Sequence, residues 1–176
     1  AQGIEQALDD YEADDSLWVA ILTGQGPVFS AGADLKEIAA GNAAALSTKK
    51  GGFGGLVRRQ RSKPLIAAVN GAALAGGLEL LLACDIAIAV ESAKFGLPEV
   101  KRSLVAAAGG LFRLPRAVGR SMAMEMILTG DPVDATTACS LGLVNTVVSE
   151  DDLMNQARSL ATRITANAPL AVQASR

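Results

Sequence analysis

Histidine is absent from all 176 residues of the chain. That absence removes the Ser-His and Cys-His nucleophile pairs, most transition-metal sites and the commonest general base, so proton transfer falls to Glu, Asp, Lys or Tyr. Aromatic side chains are scarce, at 3%, although half of the residues are hydrophobic. The core must therefore be built from Ala, Val, Leu and Ile, a composition suited to helices packed closely on sheets. The two cysteines, Cys84 and Cys139, stand alone in apolar surroundings without zinc spacing; they read as buried thiols in a reducing cytoplasm. Strong charge of either sign is also missing. Sixteen Lys and Arg stand against eighteen Asp and Glu, with no long basic run, which removes the electrostatic footprint of a nucleic-acid binder.

One nearly uncharged stretch, Leu65 to Val90, has the length of a membrane span, but Glu79 and Asp85 fall inside it. Each carboxylate would cost roughly 2.5–3.5 kcal/mol near the bilayer centre, so the stretch reads as a folded core instead. No charged-then-apolar leader opens the sequence, and secretion is not expected. The length suits a single domain. The chain starts inside apparent helix, Gly3 to Tyr11, and stops after Ala168-Pro169-Leu170, again in helical sequence, and so reads as part of a longer polypeptide.

Strand and helix patterns alternate. Short apolar runs at Leu17 to Leu22, Pro64 to Val69, Ile86 to Val90 and Leu143 to Val148 predict strands. Helices are predicted at Leu35 to Ala40 with Asp34 as N-cap, and at Gly76 to Cys84, Gly110 to Val118, Met122 to Leu128, Thr136 to Leu141 and Asp151 to about Asn167. Gly41 to Gly55, without sustained period and without a G-x-x-x-x-G-K-[ST] motif, reads as a mobile loop. Strands separated by helices point to an α/β fold with mostly parallel strands.

Two segments stand out: Phe29-Ser30-Ala31-Gly32-Ala33-Asp34 and Asn70-Gly71-Ala72-Ala73-Leu74-Ala75-Gly76-Gly77-Leu78-Glu79. Each puts a small-residue turn between strand-like and helix-like sequence, where backbone N–H groups are free to meet a ligand oxygen. Glu79 lies one turn into the second helix among leucines, where ionisation is costly and a raised pKa is expected unless the group is paired. Glu99 follows Pro98 in a turn after Phe95-Gly96-Leu97. Two amide donors for a developing oxyanion and two carboxyls for proton traffic would make an active site without metal or nucleophile. The bland alternatives are glycines serving turns and packing, and glutamates on an exposed helix and loop.

Together with Ala83-Cys84-Asp85, Phe95-Gly96-Leu97-Pro98-Glu99, Ala108-Gly109-Gly110 and the stretch Leu128-Thr129-Gly130 through Ala138-Leu141-Gly142-Leu143-Val144, these segments resemble, in order and spacing, the crotonase (enoyl-CoA hydratase/isomerase) superfamily over nearly the whole chain. The resemblance implies a spiral of ββα units, with mixed, mostly parallel sheets flanked by helices. It also implies that residues 1–176 lack the N-terminal strands and the C-terminal helices of the full pattern.

The resemblance further implies an acyl-CoA thioester as substrate and partner, with the enolate oxygen held by the backbone N–H groups of Ala33 and Gly76. Glu79 would activate water for attack on the β-carbon of a trans-2-enoyl-CoA, and protonated Glu99 would supply the α-carbon proton. Ala31, Gly32, Asp34, Lys36, Leu74, Gly77, Pro98 and Ala107 would bind substrate, although Lys36 reads equally as a solvated helix lysine. No cofactor is expected beyond the CoA of the substrate, no metal, no membrane and no nucleic acid; a homotrimer or dimer of trimers is expected. The rivals are Δ3-Δ2 enoyl-CoA isomerisation, dehydration of a 3-hydroxyacyl-CoA such as a carnitine derivative, and a non-catalytic acyl-CoA-binding module. Two departures from the pattern stand in the sequence: Ala75 where a third glycine is common, and Ala106-Ala107 where many hydratases have Pro-Gly. The second predicts altered acyl specificity.

Overall fold

Again and again along the chain, a strand in one sheet leads within a few residues to a strand in a second sheet and then to a helix. The computed structural model describes residues 1–176 apart from the side chain of Leu35. Helix α1 (Gln2–Ala13) precedes the first turn of this spiral: β1 (Ala20–Thr23), β2 (Val28–Ser30) and α2 (Leu35–Ala39). After a small hairpin, β3 (Ser47–Thr48) and β4 (Gly52–Phe53), the second turn is β5 (Leu65–Val69), β6 (Ala72–Leu74) and α3 (Gly76–Leu82). The third is β7 (Ile86–Val90) and β8 (Lys94–Gly96), followed by a 3-10 turn at Pro98–Arg102 and helices α4 (Gly110–Val118) and α5 (Arg120–Thr129). Strand β9 (Val133–Asp134), α6 (Ala135–Ser140), β10 (Thr146–Val148), α7 (Leu153–Thr165) and α8 (Pro169–Ser175) complete the fold.

One sheet has the order β1-β5-β7-β10 and is parallel throughout; the other has the order β2-β6-β8-β9, with only β8 and β9 antiparallel. This is the predicted mixed, mostly parallel α/β architecture. All five residues of β5 are buried and β7 is buried from Ala87 onward, because α7 covers one face of their sheet and the second sheet approaches the other. That double cover explains the unbroken apolar runs in the sequence. Phe95, Ile66, Leu78 and Leu97 are almost completely enclosed, and burying each contributes about 1.5–3 kcal/mol.

Polar side chains set the connections. Asn70 accepts from the Gly24 N–H and donates to Gly26 O, which ties the β1–β2 crossing to the end of β5. Asp85, between α3 and β7, accepts from Leu65 N, Arg61 and Arg176. Burial pushes its carboxyl up, but these donors outweigh burial and hold it below the usual range. The Cys84 thiol, hydrogen-bonded to Leu80 O, is pushed up to about 12 by burial.

Three predicted elements differ. The first strand begins at Ala20, leaving Leu17 and Trp18 45% and 38% exposed. The Asp14 carboxylate accepts from Ser16 and Trp18 Nε1 donates to Asp15 O, so the turn persists until Ala20 N reaches Pro64 O. The last predicted strand is confined to β10, since Leu143 and Val144 donate back to Ala138 O as the buried exit from α6. Gly41 to Gly55, read as a mobile loop, is an ordered unit: a 3-10 turn at Ala43–Leu46 and the β3–β4 hairpin. Its order is tertiary, because the Glu5 carboxylate of α1 accepts from Thr48 Oγ1 and Gly51 N.

Candidate active site

Strands β2 and β6 run parallel with Ser30 opposite Ala73, so the connections to α2 and to α3 leave the sheet side by side. Gly32 takes φ +91°, and a Cβ there would sit 2.8 Å from Gly76 N and 3.2 Å from Leu74 O. Only glycine allows that approach. Gly77 serves the same junction from the helix side, where a Cβ would lie 2.0 Å from Ser30 O. Ala75, with φ +52° and ψ −128°, makes the sharp turn into α3 while its N–H bonds Gly96 O at 2.9 Å. Such a conformation costs a non-glycine residue of order 1–3 kcal/mol. Among the described residues no acceptor takes the N–H of Ala33 or of Gly76. At Gly76 this follows from its place as first residue of a helix.

Both residues border a cavity of about 540 Å³, which also takes in Ala31, Leu74, Pro98, Ala107 and both glutamates. The other residues expected to bind substrate lie outside its lining. Gly32 and Gly77 support it from behind, and Asp34 caps α2 by accepting from Lys36 N at 2.8 Å. Lys36 is exposed on that helix and is not among the residues that line the cavity.

Glu79 is 3% exposed. Desolvation pushes its pKa up, while the Gly110 N–H (2.9 Å to Oε1), the Ala108 N–H and the charge of Arg113 pull it down; burial prevails and the net direction is upward. Gly110 is the first residue of α4, so its free N–H and the positive end of the helix face the carboxylate. Arg113, one turn further on, is itself held by Val57 O and Ala108 O.

Glu99 is half-buried in the 3-10 turn, and its Oε2 is enclosed with no partner among the described residues. Desolvation raises its pKa, its own backbone N–H opposes the rise, and the charge of Glu79 raises it further. The two carboxyls are thus close enough to repel, and each is inclined to hold a proton. Two such groups beside one cavity are suited to proton transfer.

Several lining residues were not anticipated. Phe53, Leu46, Ser47 and Ala43 come from the segment taken for a mobile loop, and Ile38 from α2; Arg102, Leu104 and Val105, the last two from the run that also holds Ala106-Ala107, complete the wall. The part played by the Gly110 and Ala108 amides was also missed. Its signal was present: Ala108-Gly109-Gly110 directly before an apolar helix. No group of three or more His, Cys, Asp or Glu able to hold a metal ion occurs among the described residues.

The fold and the cavity can be set beside known proteins. Over 165 residues the chain is 46% identical to a mevalonyl-coenzyme A hydratase of Aspergillus fumigatus, covering 93% of this chain and 61% of that protein. A carnitinyl-CoA dehydratase of Salmonella paratyphi A is 44% identical over 171 residues, 96% of this chain and 66% of the relative. The chain therefore spans a little under two thirds of the length of these curated relatives. The crystal structure of an enoyl-CoA hydratase from Mycobacterium marinum superposes with a TM-score of 0.93 at 47% identity, covering 98% of this chain and 68% of that one. Residues 2–176 match the family profile described as enoyl-CoA hydratase/isomerase. With the profile spanning almost every residue and the folds superposing closely, the chain belongs to the enoyl-CoA hydratase/isomerase family.

Proposed function

We propose that this chain carries the active site of an enoyl-CoA hydratase, adding water reversibly and syn to a trans-2-enoyl-CoA. The observation that supports the reading best is the pair of proton-retaining carboxyls, Glu79 and Glu99, on one cavity with two unspent backbone N–H groups. The thioester oxygen accepts from Ala33 N–H and Gly76 N–H. Removing one donor of this kind typically costs about 10²–10³ in rate. Water sits between the carboxyls; ionised Glu79 takes its proton as the oxygen bonds to the β-carbon, and the electron pair of the double bond moves through the α-carbon to the thioester oxygen. Protonated Glu99 then gives its proton to the α-carbon and the carbonyl re-forms. Net, one water is added, Glu79 has gained a proton and Glu99 has lost one, so a proton returns from Glu79 to Glu99 before the next turnover.

The same steps reversed dehydrate a 3-hydroxyacyl-CoA, and the relatives named as a mevalonyl-CoA hydratase and a carnitinyl-CoA dehydratase support that direction as a second reading. Isomerisation needs one base, so it leaves the second carboxyl without a task. CoA enters as part of the substrate, and this reading asks for no other cofactor. Self-association as a trimer or dimer of trimers belongs to the same reading, supported by the exposure of Phe112 (52%) and Leu128 (70%). A reducing, cytoplasmic setting goes with the free Cys84 and Cys139.

Incubation with crotonyl-CoA in heavy-oxygen water tests the proposal. One labelled oxygen is expected at the β-carbon of the product. Conversion of a 3-enoyl-CoA to its 2-enoyl isomer, with no label gained from either substrate, would replace hydration with isomerisation.

A further inference from the structure

Gly76 has no side chain with which to hold its own peptide, and a neighbour supplies the missing bulk. A Cβ built on Gly76 would lie 2.5 Å from both Cε1 and Cζ of Phe53, and 3.4 Å from Gly32 Cα on the other side. The edge of the phenyl ring therefore fills the space of the absent side chain and confines Gly76 against the Gly32 turn. Phe53 sits in the run Gly51-Gly52-Phe53-Gly54-Gly55, whose own bulk is too small to fix it. Helix α1 does so from behind. The Glu5 carboxylate, half-buried and outside the cavity lining, accepts from Gly51 N at 2.7 Å and from Thr48 Oγ1, and a Cβ at Gly55 would lie 2.9 Å from Glu5 N. Four residues beyond Phe53, the buried Val57 O accepts from Arg113 Nη2 at 2.6 Å, and the charge of Arg113 acts on Glu79. One short segment thus bears on the Gly76 amide at one end and on the surroundings of Glu79 at the other.

We propose that Glu5 is a positioning residue for the reaction: by pinning Gly51 and Thr48 to α1 it seats the Phe53 ring on Gly76 and keeps the Gly76 N–H aimed at the thioester oxygen. The assignment rests on the larger cavity being the enoyl-CoA site. It gives Glu5 a task in the chemistry although it touches neither substrate nor cavity. It also gives a reason for an aromatic residue among four glycines, in a chain with few aromatics: the ring is the one rigid part of that run. An aromatic ring turns about only two side-chain bonds, so once its backbone is pinned it is a firm stop. A misplacement of about 1 Å in a reacting group can cost on the order of 10²-fold in rate, so slack in this stop should be visible in turnover.

Two measurements on the full chain test this. Difference infrared spectra of bound butyryl-CoA, labelled with carbon-13 at the thioester carbonyl, need no catalysis: the native chain should lower the carbonyl frequency relative to free butyryl-CoA, and Glu5→Ala and Phe53→Ala should each move it back toward the free value. Steady-state kinetics with crotonyl-CoA read the same amide. In Glu5→Ala, kcat and kcat/KM should fall together by about tenfold with KM little changed, a fraction of the roughly 10²–10³ that loss of a whole donor costs. Glu5→Gln, which keeps an accepting oxygen, should restore both the frequency and the rate. Thr48→Val, a milder change that removes one of the two donors to Glu5, should shift both readouts in the same direction by less, and carries the test if Glu5→Ala does not fold. The double variant of Glu5→Ala with Phe53→Ala should resemble Phe53→Ala alone, because Glu5 acts through the ring. Losses that multiply in the double variant, or a carbonyl frequency unchanged in folded Glu5→Ala, would overturn the assignment. A frequency shift present in the native chain and reduced in both alanine variants, with no turnover of any enoyl-CoA, would uphold the positioning role and reject the hydratase reading.

Discussion

The helix that carries Glu79 and the turn that carries Glu99 give the same functional group two different settings. On α3 the carboxylate is more deeply buried, yet it faces the amides of Gly110 and Ala108 and the charge of Arg113, so its ionised form has partners ready. In the Pro98–Arg102 turn the carboxyl has an enclosed oxygen with no partner among the described residues, and the charge that shifts it is the negative one of Glu79. Burial raises both pKa values, but only Glu79 has compensation from outside its own residue. When one proton is shared between them, it belongs on Glu99. On the proposed hydratase reading, the difference in local support, not in side-chain chemistry, separates base from acid.

The sharpest way to break this comparison is to neutralise each carboxyl in turn. Glu79→Gln and Glu99→Gln should each lower kcat for hydration by about 10²–10⁴, the usual worth of general acid–base help. The double variant should fall little below the poorer single one, because residues acting as a unit are not additive. The pH profile of kcat/KM distinguishes the roles: the native bell should lose its acid limb in Glu79→Gln and its alkaline limb in Glu99→Gln. Identical profiles in the two variants would mean that the settings do not sort the roles. The native limbs describe the pair and not either residue alone.

A smaller effect is expected in stability. Both carboxyls have folded-state pKa values above the ordinary one, so the folded chain binds more protons than the unfolded chain between those values. Their contribution is fully present below about pH 4.5, the ordinary glutamate value, and is lost as pH rises through the raised pKa values. Urea unfolding should accordingly find Glu99→Gln more stable than the native chain at pH 7.5, and the gap should close near pH 4. The gain should be smaller for Glu79→Gln, whose ionised form already has amide partners. Asp85 titrates the other way: held low by Arg176 and Arg61 against burial, it contributes above pH 3.8 and that contribution is lost as pH falls.

Much of the fold and site was legible because some residues carry their structural reason locally. Pro64 to Val69 is a short apolar run closed by Asn70-Gly71, and it is the fully buried central strand. Asp34 before an apolar helix is the cap it resembled. The small-residue turns between strand and helix, and Glu79 among leucines, stand out because they are unusual enough to need a cause; the choice of the Ala33 and Gly76 amides and of Glu99 rests on the family resemblance. What was not legible depends on distant partners. Gly41 to Gly55 has no period of its own, and Glu5 orders it from another helix, bringing Phe53 to the cavity. Strand β6, only three residues of which two are alanine, cannot be told from a turn until β2 and β8 pair with it. The amide partners of Glu79, Gly110 at the start of α4 and Ala108 just before it, are foretold by no local pattern around residue 79.

The smallest effect sharpens the comparison at the entrance of α3. Ala75 holds φ +52° without being glycine, and the turn it makes leaves the Gly76 N–H free beside the cavity. Its own N–H is fixed to Gly96 O of β8, so the sheet, not the residue, imposes the conformation. Replacement by glycine removes the Cβ penalty in the folded state but also loosens the unfolded chain, and the two partly cancel. Ala75→Gly is therefore expected to raise stability by about 1 kcal/mol in urea unfolding, within the of order 1–3 kcal/mol range for such strain. Activity should stay within about threefold, because the bond to Gly96 still sets the peptide plane; a loss of ten-fold or more would mean that alanine's stiffness, and not the sheet, aims the Gly76 amide.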